Sequence, residues 1–147
     1  MIHLVDIDPG NWRYPLKVTE EQRHYVANAA VLLARAYAYR AWRSRAFLIC
    51  DEDTPVGMGL YYDLPDYGCY DLSQFFIDAR YQGKGYGKAA TRLILDALRQ
   101  DGKYSKVELC YVEGNDAAKK LYESLGFRET DRDEDEIIMT LDLSRTA

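Results

Sequence analysis

Hydrophobic and polar positions along the middle of the chain follow the patterns of β-strands. Two short apolar runs, Ala46 to Cys50 and Val56 to Tyr62, flank a turn at Asp51 to Thr54, which predicts two antiparallel strands. A loop containing Pro65 follows, and Cys69 to Ile77 then predicts another strand. This part of the chain is therefore expected to form sheet.

A helix is predicted before these strands. Thr19 and Gln22 have the spacing of a capping box, in which each side chain satisfies a free N–H group of the first helical turn. Apolar residues then recur at helical spacing, namely Val26, Ala30, Leu33 and Tyr37. The pattern predicts one helix that runs to about Arg40 and buries this stripe.

The following part of the chain predicts a β-α-β unit. A glycine-rich turn, Gln82 to Gly87, opens a helix that ends near Asp101, and Lys106 to Tyr111 is then a strand. Because a helix of about 15 residues separates this strand from Cys69 to Ile77, we expect the two strands to be parallel neighbours joined by a right-handed crossover.

The last elements are a helix and a hairpin. Asn115 is a plausible N-cap and Gly126 a left-handed C-terminal residue of the helix. Phe127 to Thr130 and Ile137 to Leu143 then form the two strands of the hairpin. The predicted fold class is α/β with a mixed sheet.

Length and composition limit the class of protein. The chain has 147 residues without an internal repeat or linker, so we predict a single domain over residues 1–147. No apolar run approaches the roughly 20 residues that span a bilayer, and Met1 to Gly10 lacks the pattern of a signal peptide. We therefore expect a cytoplasmic protein that has no membrane partner.

Cysteines and histidines do not have the spacing of a metal site. Cys50, Cys69 and Cys110 form no C-x-x-C pair and are predicted to be buried thiols. His3 and His24 are too far apart for ligand spacing, and His24 is expected at the surface or at the edge of the substrate site. We therefore predict no metal.

Charge is unevenly distributed within the total of −5. Seven acids and no Lys or Arg lie between Asp51 and Asp78, whereas Arg80 to Arg92 contains four bases and no acid. One face would attract cations and its neighbour anions, although ordinary solvated charges explain the pattern equally well. The acidic total and the short basic segment argue against a nucleic-acid partner.

The alternating glycines of Gln82 to Gly87 suit a phosphate. Glycine lets backbone N–H groups approach an anion closely, and the N-terminus of the following helix adds partial positive charge. Lys88 is followed by Ala89, so the hydroxyl of a nucleoside triphosphatase loop is missing, and the dinucleotide fingerprint would need glycine at position 88. The glycines alone are therefore compatible with a turn that binds a pyrophosphate and with a flexible turn that binds no ligand.

Two segments together resemble the GNAT superfamily of acetyl-CoA-dependent N-acetyltransferases. Gln82 to Gly87 matches the motif Q/R-x-x-G-x-G/A, and Asn115 to Phe127 resembles N-x-x-A-x-x-L-Y-x-x-x-G-F. The resemblance covers Ala46 to Leu143. The segment Glu21 to Tyr37 also resembles, more weakly, the first helix of bacterial spermine/spermidine acetyltransferases.

The resemblance implies a GNAT fold, in which a parallel strand pair splays apart to admit acetyl-CoA. The pyrophosphate would bind the turn, the pantetheine arm would bond the backbone of β-strand residues, and a backbone N–H near Phe76 would stabilise the oxyanion. The implied cofactor-binding residues are Phe75, Phe76, Ile77, Gln82, Gly83, Lys84, Gly85, Tyr86, Gly87, Lys88 and Asn115. Asn115 is equally explained as a helix N-cap.

Tyr122 matches the general acid of the family. A phenol within hydrogen-bond reach can protonate the leaving thiolate, although helical spacing also places Tyr122 on the packing stripe of its helix.

The sequence defines the general base, which accepts the proton of the amine, less clearly. Asp71, Ser73, Phe75 and Ile77 should share one strand face by alternation, and Ser73 stands where polyamine acetyltransferases can carry glutamate. Asp71 could act through a water relay or be merely solvated.

The expected reaction is acetyl transfer to a primary amine such as spermine or spermidine. Asp63, Asp66 and Ser73 would contact the amine, with tyrosines between the acids adding cation–π contacts. A protein N-terminus, a lysine or an aminoglycoside is the alternative acceptor. A non-catalytic CoA-binding module is the rival from another class, but it would have lost Tyr122. The resemblance also implies a homodimer.

Overall fold

One mixed sheet of seven strands organises the protein. The computed structural model describes residues 1–23, 25 and 28–145, so His24 and Val26 of the predictions lie outside the described residues. The strand order is β1-β2-β3-β4-β5-β7-β6. The strands are Ile2–Asp6 (β1), Arg45–Asp51 (β2), Thr54–Leu64 (β3), Cys69–Ile77 (β4), Lys106–Val112 (β5), Arg128–Asp133 (β6) and Glu136–Asp142 (β7).

Three α-helices accompany the sheet in the described part of the chain: Ala29–Ala38 (α1), Tyr86–Asp101 (α2) and Asp116–Ser124 (α3). None of them is long and apolar enough to cross a membrane. The predicted β-α-β unit is confirmed, because β4 and β5 pair in parallel and α2 connects them. The predicted hairpin of β6 and β7 is confirmed as well.

The first predicted helix begins later than expected. Thr19 and Gln22 do form a capping box, but it caps a single 3-10 turn, Glu20–Gln22. The α-helix begins after Asn28, whose side chain accepts a hydrogen bond from the Val31 N–H group at 2.9 Å. A second cap thus starts a separate helix, and the prediction of one helix from Thr19 was wrong.

The buried face of α1 also differs from the predicted stripe. Leu32 is fully buried, and Ala29, Leu33 and Ala36 pack beside it on the sheet. Ala30 is exposed, and Tyr37 is 68% exposed. The Asn28 cap sets the register of the helix, which directs the spacing i, i+3, i+4, i+7 from Ala29 toward the core.

The two faces of the sheet pack against different helices. On one face, α1 packs on a cluster of β2 to β4 that includes Leu48, Met58, Leu60 and Phe76. On the other face, the main core cluster joins β2 to β5 and β7 with α2 and residues of α3. Strands β2 and β3 are therefore buried on both faces, whereas β5 alternates buried and accessible residues.

This difference corrects the prediction of three buried thiols. Cys50 and Cys69 are buried, but Cys110 of β5 is exposed. Val107, Leu109 and Tyr111 of the same strand point into the main core, so Cys110 lies on the opposite face, which α1 does not cover.

Strands β4 and β5 splay apart, as the resemblance implied. They pair at Tyr70 with Val107 and at Asp71 with Glu108, and the rest of the two strands is not paired with each other. A bulge accompanies the divergence, because Leu72 pairs with Tyr61 and Gln74 with Leu60, which leaves Ser73 as an extra residue.

The bulge overturns the prediction that four residues of β4 share a face. Phe75 and Ile77 pack with the main core cluster beside α2 and α3. Ser73 instead contacts Arg35 of α1 and Tyr62 of β3, on the other face. One inserted residue shifts the alternation by one position, so Asp71 and Ser73 are separated from Phe75 and Ile77.

Candidate active site

The glycine-rich turn has the conformation that its sequence requires. Gly83 and Gly85 have φ of +77° and +83°, in the left-handed region that favours glycine, and Gly85 is the N-cap of α2. A Cβ atom at either position would meet no protein atom within 4 Å. The glycines therefore serve the backbone conformation and leave the space in front of the free N–H groups of α2 open.

Three neighbouring contacts fix this turn to the rest of the protein. Gln82 Nε2 donates to the Ile77 carbonyl at 2.9 Å and to Gln22 Oε1 at 2.7 Å. The Tyr86 hydroxyl donates to Asp51 at 2.6 Å. The turn is thus tied to the end of β4, to the N-terminal segment and to β2, which presets its geometry for a ligand.

A cavity of about 260 Å³ lies against the turn. Its walls come from the end of β4, the turn itself, the N-terminal segment and α3. It brings together most of the predicted cofactor-binding residues: Phe75, Phe76, Ile77, Gln82, Gly83, Gly85, Tyr86, Gly87 and Asn115. Lys84 and Lys88 do not line it: Lys84 lies in the turn with its ammonium group 5.9 Å from the centroid of the Tyr81 ring, and Lys88 lies in the first turn of α2.

A second cavity of about 150 Å³ opens between the splayed strands. Ser73 of β4, Cys110 of β5, Glu136 of β7 and Arg35 of α1 contribute to its walls. The two cavities share residues of β4 and α3, which are Phe75, Asn115, Ala118 and Tyr122. A thioester in the first cavity would therefore be reached by an acceptor in the second.

Tyr122 lies at the junction of the two cavities. It is 8% exposed, and its ring packs edge-on against Phe127 with the ring centroids 5.7 Å apart. Burial raises the pKa of Tyr122 well above its usual value, so the hydroxyl stays protonated. The packing and the chemical interpretations of Tyr122 are therefore compatible.

Asp71 lies next to the second cavity but does not line it. Burial raises the pKa of Asp71 to about 6. The neighbouring Tyr62 hydroxyl opposes this effect on the pKa, Glu108 raises the pKa further, and Arg35 lowers it. Such a carboxylate is ionised at neutral pH and binds a proton more readily than an ordinary aspartate.

Two predicted acceptor-binding residues lie elsewhere. Asp63 is 3% exposed, and its carboxylate accepts hydrogen bonds from Arg43 at 2.7 and 3.0 Å and from Lys103 at 3.1 Å. Asp66 lies in the 3-10 turn Pro65–Tyr67 and lines neither cavity. The structure does not bring Asp63 and Asp66 to the acceptor cavity, because the acidic stretch that suggested them spans three different parts of the fold.

Other acids of that stretch also have structural partners. Asp51 bonds Tyr86, and Glu52 pairs with the N-terminal amine. Asp78 accepts hydrogen bonds from the Arg80 side chain at 2.9 Å and from the Lys17 N–H group at 3.0 Å. The stretch is therefore not one continuous cation-attracting face.

The sequence did not single out Arg35 or Glu136, and it suggested Tyr62 only as one of the tyrosines between the acids that would make cation–π contacts. Arg35 lies in a helix whose register was predicted wrongly, and Tyr62 is one of 13 tyrosines. Glu136 lies in an acidic turn that looks ordinarily solvated. They come together through the pairing of β3 with β4 and of β5 with β7, which no local pattern specifies.

Comparison with known proteins identifies the family. Residues 7–127 match the model of the acetyltransferase (GNAT) family. The spermine/spermidine N(1)-acetyltransferase of Bacillus subtilis strain 168 is 31% identical over 119 residues, which cover 77% of each chain.

Solved structures agree with the fold. The spermidine N-acetyltransferase of Vibrio cholerae, in complex with CoA and spermine, superimposes with a TM-score of 0.78 at 20% identity, covering 97% of this chain and 96% of that one. The ribosomal-protein-S18-alanine N-acetyltransferase of Escherichia coli gives a TM-score of 0.75 at 22% identity, covering 100% and 97%.

The co-substrate follows from the family. The Vibrio cholerae protein binds CoA, and the glycine turn, the splayed strands and the shared cavity wall of this chain fit that molecule. Among the described residues, no group of three His, Cys, Asp or Glu side chains has the arrangement of a metal site. The chain belongs to the GNAT family of acetyltransferases, and its co-substrate is acetyl-CoA.

Proposed function

We propose that this enzyme transfers the acetyl group of acetyl-CoA to a primary amine of a polyamine such as spermine or spermidine. The observation that carries the proposal is the meeting of two cavities at Tyr122, one against the glycine turn and one beside acidic side chains. The Bacillus subtilis relative, which acts on spermine and spermidine, supports this acceptor class.

The cofactor half of the site binds acetyl-CoA through backbone groups. The N–H groups of Gly83 to Lys88 bind the pyrophosphate, with the α2 dipole favouring its charge. Between Phe75 and Ile77, β4 no longer pairs with β5, so its backbone groups on that side are available to the pantetheine amides. An N–H group near Phe76 stabilises the oxyanion.

Tyr122 completes the transfer. When the tetrahedral intermediate collapses, the CoA thiolate leaves, and the Tyr122 hydroxyl donates a proton to it. The burial that raises the pKa of Tyr122 also makes a thiolate in the same cavity more basic, so the proton transfer remains favourable enough to assist the step.

The acceptor half removes a proton from the amine. An alkylamine has a pKa near 10.4 and arrives mostly as an ammonium ion, which is attracted by Asp71, Glu108 and Glu136 around the splayed strands. Asp71 is the proposed base, and Ser73, which lines the cavity, contacts the amine.

One feature favours a different acceptor. Arg35 places a cation on the wall of the acceptor cavity, which a polyamine does not require. A guanidinium suits an amine with a neighbouring carbonyl or carboxylate, such as a protein N-terminus. This is the second candidate.

A direct assay separates the candidates. Release of free CoA from acetyl-CoA is measured with spermine, spermidine, putrescine, an aminoglycoside and an N-terminal peptide. The proposal expects the highest kcat/KM with spermine or spermidine. A peptide preference would establish the second candidate, and no release with any amine would contradict both.

A further inference from the structure

Ser73 and Tyr62 connect the acceptor cavity with a carboxylate that the cavity does not reach. Ser73 lines the cavity, whereas Asp71 does not. We propose that the hydroxyls of Ser73 and Tyr62 relay the proton of the acceptor amine to Asp71, and that Arg35 is a positioning residue that holds Ser73. This inference rests on the proposed amine acetylation.

The backbone sets the distances of this relay. Tyr62 and Asp71 are direct cross-strand partners of β3 and β4. Ser73, two residues after Asp71, lies on the same face of β4, and its hydroxyl is 3.1 Å from the Tyr62 hydroxyl. Without the inserted residue, Phe75 and Ile77 would share the face of Asp71 and Ser73, and Phe76 would lie on the other face.

Tyr62 is held rigidly for this task. It is 3% exposed, and its ring stacks on that of Tyr39 with the centroids 4.0 Å apart and an interplanar angle of 9°. Burial raises the pKa of Tyr62 well above its usual value, so the phenol remains neutral and passes a proton without becoming the base.

Arg35 fixes the other end. Its Nη1 atom donates to Ser73 Oγ at 3.2 Å. In the structure Ser73 Oγ also accepts a hydrogen bond from the Tyr62 hydroxyl. If that bond reverses and Ser73 donates to the Tyr62 oxygen, one lone pair of Ser73 becomes available to a proton from the cavity that Ser73 lines. A hydroxyl hydrogen can rotate between partners, and the other acceptor beside the Tyr62 hydroxyl is the carboxylate of Asp71, its cross-strand partner.

The proton moves in three linked transfers. The amine N–H bond breaks as its proton passes to Ser73 Oγ, the Ser73 hydrogen passes to the Tyr62 oxygen, and the Tyr62 hydrogen passes to the Asp71 carboxylate. Both hydroxyls end neutral, the amine nitrogen keeps its electron pair for the thioester carbonyl, and Asp71 becomes a carboxylic acid. Solvent then takes the proton from Asp71 after turnover.

Charges on every neighbouring element act on Asp71. Glu108 and Cys110 belong to β5, Glu136 to β7 and Arg35 to α1, while Tyr39 stacks on the Tyr62 ring. The two glutamates favour protonation of Asp71, and Arg35 favours its ionised form. This balance leaves an ionised carboxylate at neutral pH that is ready to receive a proton.

Tyr62→Phe tests the relay in the intact enzyme. The substitution keeps the stacked ring and removes the hydroxyl, so we expect kcat/KM at pH 7 to fall by about 10- to 100-fold, with unchanged affinity for acetyl-CoA. The loss should diminish as the pH approaches the pKa of the free amine. Tyr39→Phe is the matched control, because it removes the other hydroxyl of the stacked pair and should keep the wild-type pH profile.

Two further variants make the test decisive. Asp71→Asn should lower kcat/KM in the same pH-dependent way, and the double variant with Tyr62→Phe should be no slower than the slower single variant. Arg35→Lys should retain more activity than Arg35→Met. Additive losses, or a Tyr62→Phe rate equal to that of the wild type, would overturn the relay.

A titration without turnover separates this inference from the proposed function. The Asp71 carboxyl is followed by carbon-13 NMR in the free protein, and Tyr62→Phe should raise its pKa because the neighbouring hydroxyl that favours the ionised form is lost. An unchanged pKa would contradict the relay even in an active enzyme. Absence of CoA release by the wild type with every amine would instead contradict the proposed function.

Discussion

Tyr122 lines both the cavity against the glycine turn and the acceptor cavity, and the ring of Phe127 packs edge-on against it. Tyr122→Phe removes the hydroxyl and keeps the ring packing. We expect kcat to fall by about 10² to 10⁴, the usual contribution of a general acid, with unchanged acetyl-CoA affinity. Single-turnover measurements under conditions where chemistry limits the rate check this prediction.

A distant tyrosine provides the control for that experiment. Tyr104 packs against Tyr70, 5.2 Å between ring centroids, and lines neither cavity. Tyr104→Phe should leave kcat unchanged. Equal kcat values for the wild type and Tyr122→Phe would assign Tyr122 to packing alone.

The catalytic interpretation of Tyr122 could be predicted from the sequence, whereas the acceptor side could not. Tyr122 belongs to a contiguous motif, so its position relative to Asn115 is fixed by one helix. The structure does not place Asp63 at the acceptor cavity as predicted, because the neighbouring acids in the sequence do not reveal that Arg43, 20 residues away, binds its carboxylate. The position of a residue within a contiguous motif can therefore be predicted from the sequence, whereas an ion pair between distant residues cannot.

At the scale of elements, the glycine turn at the start of α2 has a left-handed backbone conformation and is the proposed binding site of the pyrophosphate. Gly85→Val places a β-branched residue at φ +83°, which strains the turn and displaces the N–H groups of the helix. We expect acetyl-CoA affinity to fall by at least about 10-fold, measured by calorimetry, with some loss of stability as well.

The other end of the same helix offers a matched control. Gly102 is the C-cap of α2 with φ +72°, and it lines neither cavity. Gly102→Val should destabilise the protein by a similar mechanism while acetyl-CoA affinity stays at the wild-type value. If both variants lose affinity equally, general destabilisation explains the effect and the assignment of the glycine turn as the pyrophosphate site is wrong.

Elements with a strong local signal were predicted, and elements that depend on tertiary context were not. The glycine turn, α2 and α3 carry caps and apolar stripes that agree with the fold. Strand β1, Ile2–Asp6, was not predicted, because five residues at the edge of a sheet give little periodicity and gain their stability from pairing with β2. The bulge at Ser73 was missed since only the register with β3 reveals it.

At the scale of the molecule, one arginine joins separate parts of the chain. Arg43 binds Asp63 of β3 and Asp101 at the end of α2, with distances of 2.7 to 3.0 Å. Arg43→Met leaves the buried Asp63 carboxylate with Lys103 alone. We expect a loss of about 1 to 3 kcal/mol in the free energy of unfolding, toward the lower end because Arg43 is half exposed to solvent.

The loss should depend on pH. Hydrogen bonds from Arg43 lower the pKa of Asp101; for Asp63, burial acts in the opposite direction, but Arg43 and Lys103 still lower the pKa. A carboxylate with a lowered folded pKa contributes stability above its unfolded pKa of about 3.9, and loses it as the pH falls toward the folded value. The difference between wild type and variant in urea unfolding should therefore shrink below about pH 4.

An exposed ion pair is the control for this experiment. Arg132 pairs with Glu113 on the surface, where both side chains are about half exposed. Arg132→Met should cost at most about 1 kcal/mol. Equal losses for the two variants would contradict the bridging contribution of Arg43.

Although the net charge is −5, only the few acids that lie near the splayed strands are close enough to attract a cationic acceptor strongly. Glu136 lines the acceptor cavity, whereas Asp63 is neutralised by Arg43 and Lys103. Glu136→Gln should therefore raise KM for spermidine more than it lowers kcat, since the charge attracts and holds the distant ammonium groups. Glu134→Gln, in the same hairpin turn but outside the cavity, should leave KM unchanged.

Salt distinguishes a polycationic acceptor from a simple amine by the same physics. The Debye length falls from about 10 Å at 0.1 M salt to about 3 Å at 1 M, so the attraction of several ammonium groups is screened more than that of one. We expect kcat/KM for spermine to fall steeply over this range and that for a monoamine to change little. In Glu136→Gln the salt dependence for spermine should become shallower. Equal salt dependence for the two amines, together with an unaltered KM in Glu136→Gln, would rule out polyamine recognition and favour the protein N-terminus, for which Arg35 already provides a binding group.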